Sequence, residues 1–298
     1  MKEVILKASV FEGVCTALVT PFRDGSVDLE TFDLLLERQI ANGVSAVCVC
    51  GTTGESATLH DEEKLTLIER AVKTCDGRMT VIAGTGSNDT SHAIALSKAA
   101  CDAGADAVLV VTPYYNKATE NGLIAHYTAV ADAVEKPVIL YNVPSRTGVH
   151  IPLSVYRVLQ HHPRIVGVKE ASGDVAYATQ ILTETEELTL WSGNDDLIVP
   201  LTAIGGKGVI SVLSNLCPSE TEAICKACRD GDYEAAAARQ REMTDLIGAL
   251  FCEVNPIPIK TAMSMLGYPV GTARLPLCEM SDKNLQILKS TMKKHGLI

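Results

Sequence analysis

Ile165-Val166-Gly167-Val168-Lys169 is an apolar run that ends on a lysine, just after His161-His162-Pro163, which has the look of a helix end. It lacks the alternation of apolar and polar residues that a half-solvated strand shows, so it reads as a strand covered on both faces. Short runs of the same kind recur at residues 15–20, 46–50, 80–84, 107–111, 137–141, 188–192 and 208–211. Between them lie amphipathic helical patterns such as residues 29–42, 62–75, 91–104 and 122–134, often opened by Asp, Ser or Thr and closed by Gly or Asn. Eight buried strands joined by crossover helices predict an α/β fold, a parallel sheet closed into a (β/α)8 TIM barrel, with a doubly wound sheet as the alternative. From about Ile224 the strands stop, and residues 235–251, 258–266 and 282–295 read as helices. The expected division is therefore a catalytic barrel over residues 1–224 and a C-terminal helical segment over residues 225–298 packed on it. No short repeat, low-complexity tract or flexible linker interrupts the pattern.

The chain has 298 residues, a length that suits one large barrel or two ordinary domains, so the pattern decides between them. A formal net charge of -10 argues against nucleic-acid or anionic-membrane partners and leaves small molecules and other subunits. No apolar stretch of signal-peptide type follows the start, and no window approaches about 18 uninterrupted apolar residues, so a cytoplasmic protein is expected. The ten cysteines sit mostly in apolar runs, Cys48 and Cys50 on one strand, as buried reduced thiols do. Cys225 and Cys228 form a Cys-x-x-Cys pair with Cys217 upstream. No second pair follows at zinc-site spacing, and the segment reads as helix.

In a (β/α) barrel, chemistry belongs to the C-terminal ends of the strands, and the polar motifs fall there repeatedly. Gly51-Thr52-Thr53-Gly54-Glu55-Ser56 follows the second strand, and Thr112-Pro113-Tyr114-Tyr115-Asn116 the fourth. The fifth ends at Tyr141-Asn142-Val143-Pro144-Ser145-Arg146-Thr147-Gly148, and the sixth at Lys169. A lysine amine is nucleophilic only when deprotonated, and burial or a neighbouring cation lowers its usual pKa of about 10.4 by several units. Schiff-base formation with a carbonyl substrate is the natural use of such a residue. The ordinary alternative is a strand-end lysine paired with Glu170. Thr52 and Thr53 suit carboxylate binding, although the loop also reads as a phosphate cradle or a plain turn. Arg146 is either a solvated charge or a fork for a carboxylate. Tyr114 and Tyr115 are loop tyrosines of packing type, each with a phenol able to relay protons, and Tyr141, at a strand end, is the better acid or base. Gly205-Gly206-Lys207-Gly208 precedes a strand and lacks phosphate-loop spacing, so it reads as a tight turn. His161 and His162 form no recognisable metal set.

Taken together these motifs resemble the dihydrodipicolinate synthase and N-acetylneuraminate lyase family, pyruvate-dependent (β/α) barrel aldolases. The likeness extends over nearly the whole chain and includes Thr20-Pro21-Phe22, Ala83-Gly84-Thr85-Gly86, Gly205 to Ser211 and Asn255-Pro256-Ile257-Pro258-Ile259-Lys260. Thr52-Thr53 and Ser145-Arg146-Thr147-Gly148 are similar to the synthase branch rather than the lyase branch. The resemblance implies condensation of pyruvate with L-aspartate 4-semialdehyde in lysine and diaminopimelate biosynthesis, through a Schiff base on Lys169 and with no metal or organic cofactor. It assigns acid-base chemistry to Tyr141, a hydroxyl relay to Thr53 and to Tyr115 from a neighbouring subunit, and the pyruvate carboxylate to Thr52 and Thr53. Arg146 would hold the semialdehyde carboxylate, and the Gly193 and Ile210 backbones would shape the pocket. Self-association as a homotetramer, a dimer of dimers, is implied as well. The alternatives are an aldolase for a 2-keto-3-deoxy sugar acid or N-acetylneuraminate, a catalytically silent small-molecule sensor, and a phosphate-binding barrel isomerase. Feedback-inhibited members bind free lysine at a subunit interface. Ser56, Ala57, Asn88 and Tyr114 fit such a regulatory site, but Lys64 and His92 stand where a histidine and a glutamate are common, so weak inhibition by lysine is expected.

Overall fold

A computed structural model describes residues 7–298. Its strands are β1 Gly13–Ala17, β2 Phe22–Arg23, β3 Ser26–Val27, β4 Ala46–Val49, β5 Thr80–Gly84, β6 Ala107–Val111, β7 Val138–Asn142, β8 Ile165–Glu170, β9 Thr189–Ser192 and β10 Gly208–Ser211. Eight of them close a barrel in the order β1-β10-β9-β8-β7-β6-β5-β4, all parallel, while β2 and β3 pair as a small antiparallel hairpin. The helices are α1 Leu29–Ala41, α2 Asp61–Cys75, α3 Thr90–Asp102, α4 Glu120–Asp132, α5 Pro144–Thr147, α6 Leu153–Leu159, α7 Val175–Glu184, α8 Ile198–Ala203, α9 Pro218–Arg229, α10 Tyr233–Leu250, α11 Ile257–Met265 and α12 Asp282–Lys294. The TIM barrel read from the pattern is the fold, with α10 to α12 as the C-terminal helices; α9 spans residues 224 and 225.

Polar side chains open the helices as the pattern suggested. Asp28 accepts from the Thr31 N–H at 3.2 Å, Asp89 from Ser91 at 2.9 Å and Asp174 from Tyr177 at 3.0 Å, each satisfying a donor that the first turn leaves free. The first strand is the main departure, since it covers residues 13–17 rather than 15–20. Beyond Ala17 the chain turns to side chains and loops: Val19 N–H donates to Asn215 Oδ1 at 3.1 Å and the Thr20 hydroxyl to the Gly54 carbonyl at 2.7 Å.

Two apolar layers form the core. One lies between the barrel wall and the helices, and the other fills the lumen with Cys15, Cys48, Ile139, Val166 and Trp191 among others. Phe11 stacks on Trp191 with ring centroids 5.0 Å apart, and the indole N–H donates to the Phe11 carbonyl. A register shift between β7 and β8 bears on the site. Ile165 pairs with Val138, but Gly167 pairs with the next residue, Ile139, leaving Val166 as an extra residue. Strict alternation from a lumen-facing Val166 would turn Lys169 outward, and the extra residue restores Lys169 to the inner face beside Tyr141. Gly167 belongs to the same irregularity, since a Cβ there would lie 2.6 Å from Trp191 Cζ3. Among the described residues, no helix is long and apolar enough to cross a membrane.

Candidate active site

Lys169 and Tyr141 occupy paired positions at the C-terminal ends of β8 and β7. The Lys169 ammonium lies 4.3 Å from the centroid of the Tyr141 ring, and the two residues are 6 % and 7 % exposed. This is desolvated contact between a cation and a π face. A cleft of about 780 Å³ opens at this end of the barrel, lined by Thr52, Tyr141, Arg146 and Asn255 among others. Burial pushes the neighbouring Cys48 thiol up to about 11, although the Lys169 charge pulls it the other way. All ten cysteines are unpaired.

Thr53 is buried and its hydroxyl accepts a hydrogen bond from Asn255 Nδ2 at 2.9 Å. The Asn255 carbonyl in turn accepts from Arg146 Nη2 at 3.1 Å, so one residue from the C-terminal segment touches both the threonine loop and the arginine loop. The Gly193 N–H donates to the Glu170 carbonyl at 2.7 Å, and Ile210 is buried in β10. Tyr115 stands apart: it is 89 % exposed with φ of +73, a conformation that a bulky residue adopts rarely. No hydrogen bond joins the hydroxyls of Tyr141, Thr53 and Tyr115 among the described residues: the isolated subunit sets Tyr141 against Lys169, links Thr53 to Arg146 through Asn255, and leaves Tyr115 at its surface.

Ser56, Ala57, Lys64, His92 and Tyr114 line the same cleft, whereas Asn88 is tied by its carbonyl to Asn116 Nδ2 at 2.8 Å. The charge picture here differs from the one read off the sequence. Lys64 is only 7 % exposed and lies 3.2 Å from Asp61, and His92 Nε2 lies 2.8 Å from the other Asp61 oxygen. Despite the opposing effect of burial, these bonds hold the Asp61 carboxyl below the usual range. Asp61 gave no motif signal, because nothing in its spacing distinguishes it from a helix-opening acid. Asn142 and Asn255 were visible only as members of longer motifs, and Glu170 only as an ion-pair partner that Lys169 does not take. His161 and His162 make surface pairs with Glu187 and Asp132. Among the described residues no group of three or more His, Cys, Asp or Glu is placed to hold a metal.

The model of the dihydrodipicolinate synthetase family matches residues 10–295. A 4-hydroxy-tetrahydrodipicolinate synthase of Thermoanaerobacter pseudethanolicus is 47% identical over 291 residues, covering 97% of this chain and 98% of that protein. The crystal structure of dihydrodipicolinate synthase from Aquifex aeolicus superposes with a TM-score of 0.95 at 44% identity, over 96% of this chain and 99% of the other. The enzyme from Cyanidioschyzon merolae, solved with lysine bound, has a TM-score of 0.95 at 40% identity over 98% of this chain and all of its own.

Proposed function

Because the chain belongs to the dihydrodipicolinate synthetase family, we infer that it is a 4-hydroxy-tetrahydrodipicolinate synthase, a lyase-type enzyme condensing pyruvate with L-aspartate 4-semialdehyde in lysine and diaminopimelate biosynthesis. The observation that carries the chemistry is the buried contact between Lys169 and Tyr141 at the mouth of the barrel. The free Lys169 amine adds to the pyruvate ketone, and loss of water leaves an iminium. That cation draws electrons from the neighbouring methyl carbon, which loses a proton to become an enamine. The enamine carbon bonds to the aldehyde, whose oxygen takes up a proton. Attack of the semialdehyde amino group on the iminium then closes the ring and releases Lys169. The iminium is the electron sink, so the reaction calls for no metal or organic cofactor.

Tyr141 moves protons at the ketone and aldehyde oxygens, with the Thr53 hydroxyl as its partner in the relay. Thr52 and Thr53 hold the pyruvate carboxylate, Arg146 the semialdehyde carboxylate, and the Gly193 and Ile210 backbones bound the pocket. Tyr115 completes the hydroxyl relay from a neighbouring subunit of a homotetramer built as a dimer of dimers. Its exposure and left-handed backbone support this placement, since a tyrosine held that way on a free surface gains nothing from its strain.

A coupled assay with pyruvate and L-aspartate 4-semialdehyde tests the activity, with sugar-acid aldehydes run alongside. Borohydride added with pyruvate tests the site, because only an imine is reduced to a stable secondary amine. The adduct is expected on the peptide carrying Lys169. Turnover without an adduct there would overturn the mechanism.

A further inference from the structure

The mechanism leaves the next residue along each strand, Glu170 and Asn142, without a role. Glu170 is 1 % exposed and Asn142 fully buried. Alternate residues of a strand face opposite ways, so the register that sets Lys169 beside Tyr141 inside the barrel sets Glu170 beside Asn142 on its outer face. Asn142 Nδ2 donates to Glu170 Oε2 at 2.8 Å, and the Ser172 N–H donates to Oε1 at 2.6 Å. Asn142 Oδ1 accepts from the Ile151 N–H at 3.1 Å, just past the loop that carries Arg146. The two backbones extend the pattern: the Ala171 N–H donates to the Asn142 carbonyl at 2.9 Å and the Gly193 N–H to that of Glu170 at 2.7 Å. One buried carboxylate and one amide thus join the ends of β7 and β8 to the far end of the arginine loop, and the Glu170 backbone carbonyl carries the link to Gly193, just past β9.

A buried charge is expensive, and apolar residues of similar size often stabilise a fold as well. Stability alone is a poor reason to keep a carboxylate here. We propose that Glu170 and Asn142 are positioning residues, a clamp on the outer face of the barrel wall that holds the Lys169 amine and the Tyr141 hydroxyl at their working separation. The proposal rests on the roles given above to Lys169 and Tyr141.

The polarity of the clamp supplies its test. Both partners of the Glu170 side chain are donors, whereas Asn142 donates on one side and accepts on the other. Glu170→Gln must set its NH2 group against either Asn142 Nδ2 or the Ser172 N–H, and turning the Asn142 amide round only moves the mismatch to the Ile151 N–H. Asn142→Asp alone sets two carboxylates against each other. The double variant Asn142→Asp/Glu170→Gln reverses one bond and keeps every partner: Gln donates to Asp, and the Ser172 and Ile151 N–H groups still meet oxygens.

Steady-state kcat, the rate of borohydride trapping of pyruvate and the melting temperature are measured for wild type, Glu170→Gln and the double variant. Glu170→Gln is expected to lower kcat and the trapping rate about tenfold or more, since small displacements at a reacting centre are costly. The double variant is expected to recover both to within about threefold of wild type. A folded Glu170→Gln protein with wild-type kcat and trapping, even one that melts lower, would overturn the clamp. So would a double variant that melts like wild type yet stays as slow as Glu170→Gln. Should Glu170→Gln fail to fold, Asn142→Asp takes its place against the same double variant. Trapping in wild type is read first: its absence at Lys169 defeats the proposed mechanism and the clamp with it, whereas its presence with unchanged variants defeats the clamp alone.

Discussion

Arg146 is an exposed residue on the short helix α5, and one of its nitrogens is engaged by the Asn255 carbonyl. The rest of its fork faces a cleft in which a carboxylate is expected, so Arg146→Ala should raise KM for the semialdehyde about tenfold or more while KM for pyruvate barely moves. Pyruvate trapping on Lys169 should persist. Equal weakening of both substrates would make Arg146 a structural residue. Lys64 carries the second prediction at this scale. Its ammonium is buried against Asp61, which His92 also engages, so the carboxylate nearest both residues is already paired. Activity should survive millimolar L-lysine, and a dose-response curve with half-inhibition below about 1 mM would refute that reading. The sequence identified Lys64 and His92 as departures, but that both engage the same carboxylate, Asp61, became visible only once the start of α2 met α3.

The loop after β4 and the helix α11 are more than 200 residues apart and are joined by an ion pair that solvent hardly reaches. Lys260 Nζ lies 2.7 Å from Glu55 Oε1 with the two side chains 2 % and 1 % exposed, and the Arg274 N–H donates to Glu55 Oε2 at 2.8 Å. Phe22 closes the arrangement, its ring 4.3 Å from the Lys260 ammonium. Removing one partner strands the other charge in a dry site, so Lys260→Met should cost about 3 kcal/mol in denaturant unfolding. Glu55→Leu/Lys260→Met should regain much of that loss, and a double variant no better than the single would show that the pair itself is not the source. Strands and helices were legible at this scale because their periods are written locally in side-chain type. The one-residue shift in β8 was not, since a bulge arises from how two strands pair and leaves no period of its own.

At the scale of the whole molecule, the site proposed here is incomplete in one subunit, because Tyr115 is 89 % exposed on its loop and makes no hydrogen bond to Tyr141 or Thr53. If the tyrosine acts across an interface, mixing the weakly active chains Lys169→Ala and Tyr115→Phe should restore activity through hybrid sites, each holding an intact lysine and a borrowed tyrosine. Verified mixed oligomers that stay inactive would assign Tyr115 to its own subunit. The sequence by itself determined the barrel and the strand ends that carry polar residues, Lys169 and Tyr141 among them, because hydrophobic period and turn chemistry are local properties. Only the tertiary structure decided that Lys169 faces inward beside Tyr141, that Glu170 turns from Lys169 to Asn142, that Asn255 reaches Thr53, and that His92 meets Asp61. These are contacts between elements distant in sequence or set by register, and a register shift of one residue exchanges the inside of a barrel for its outside.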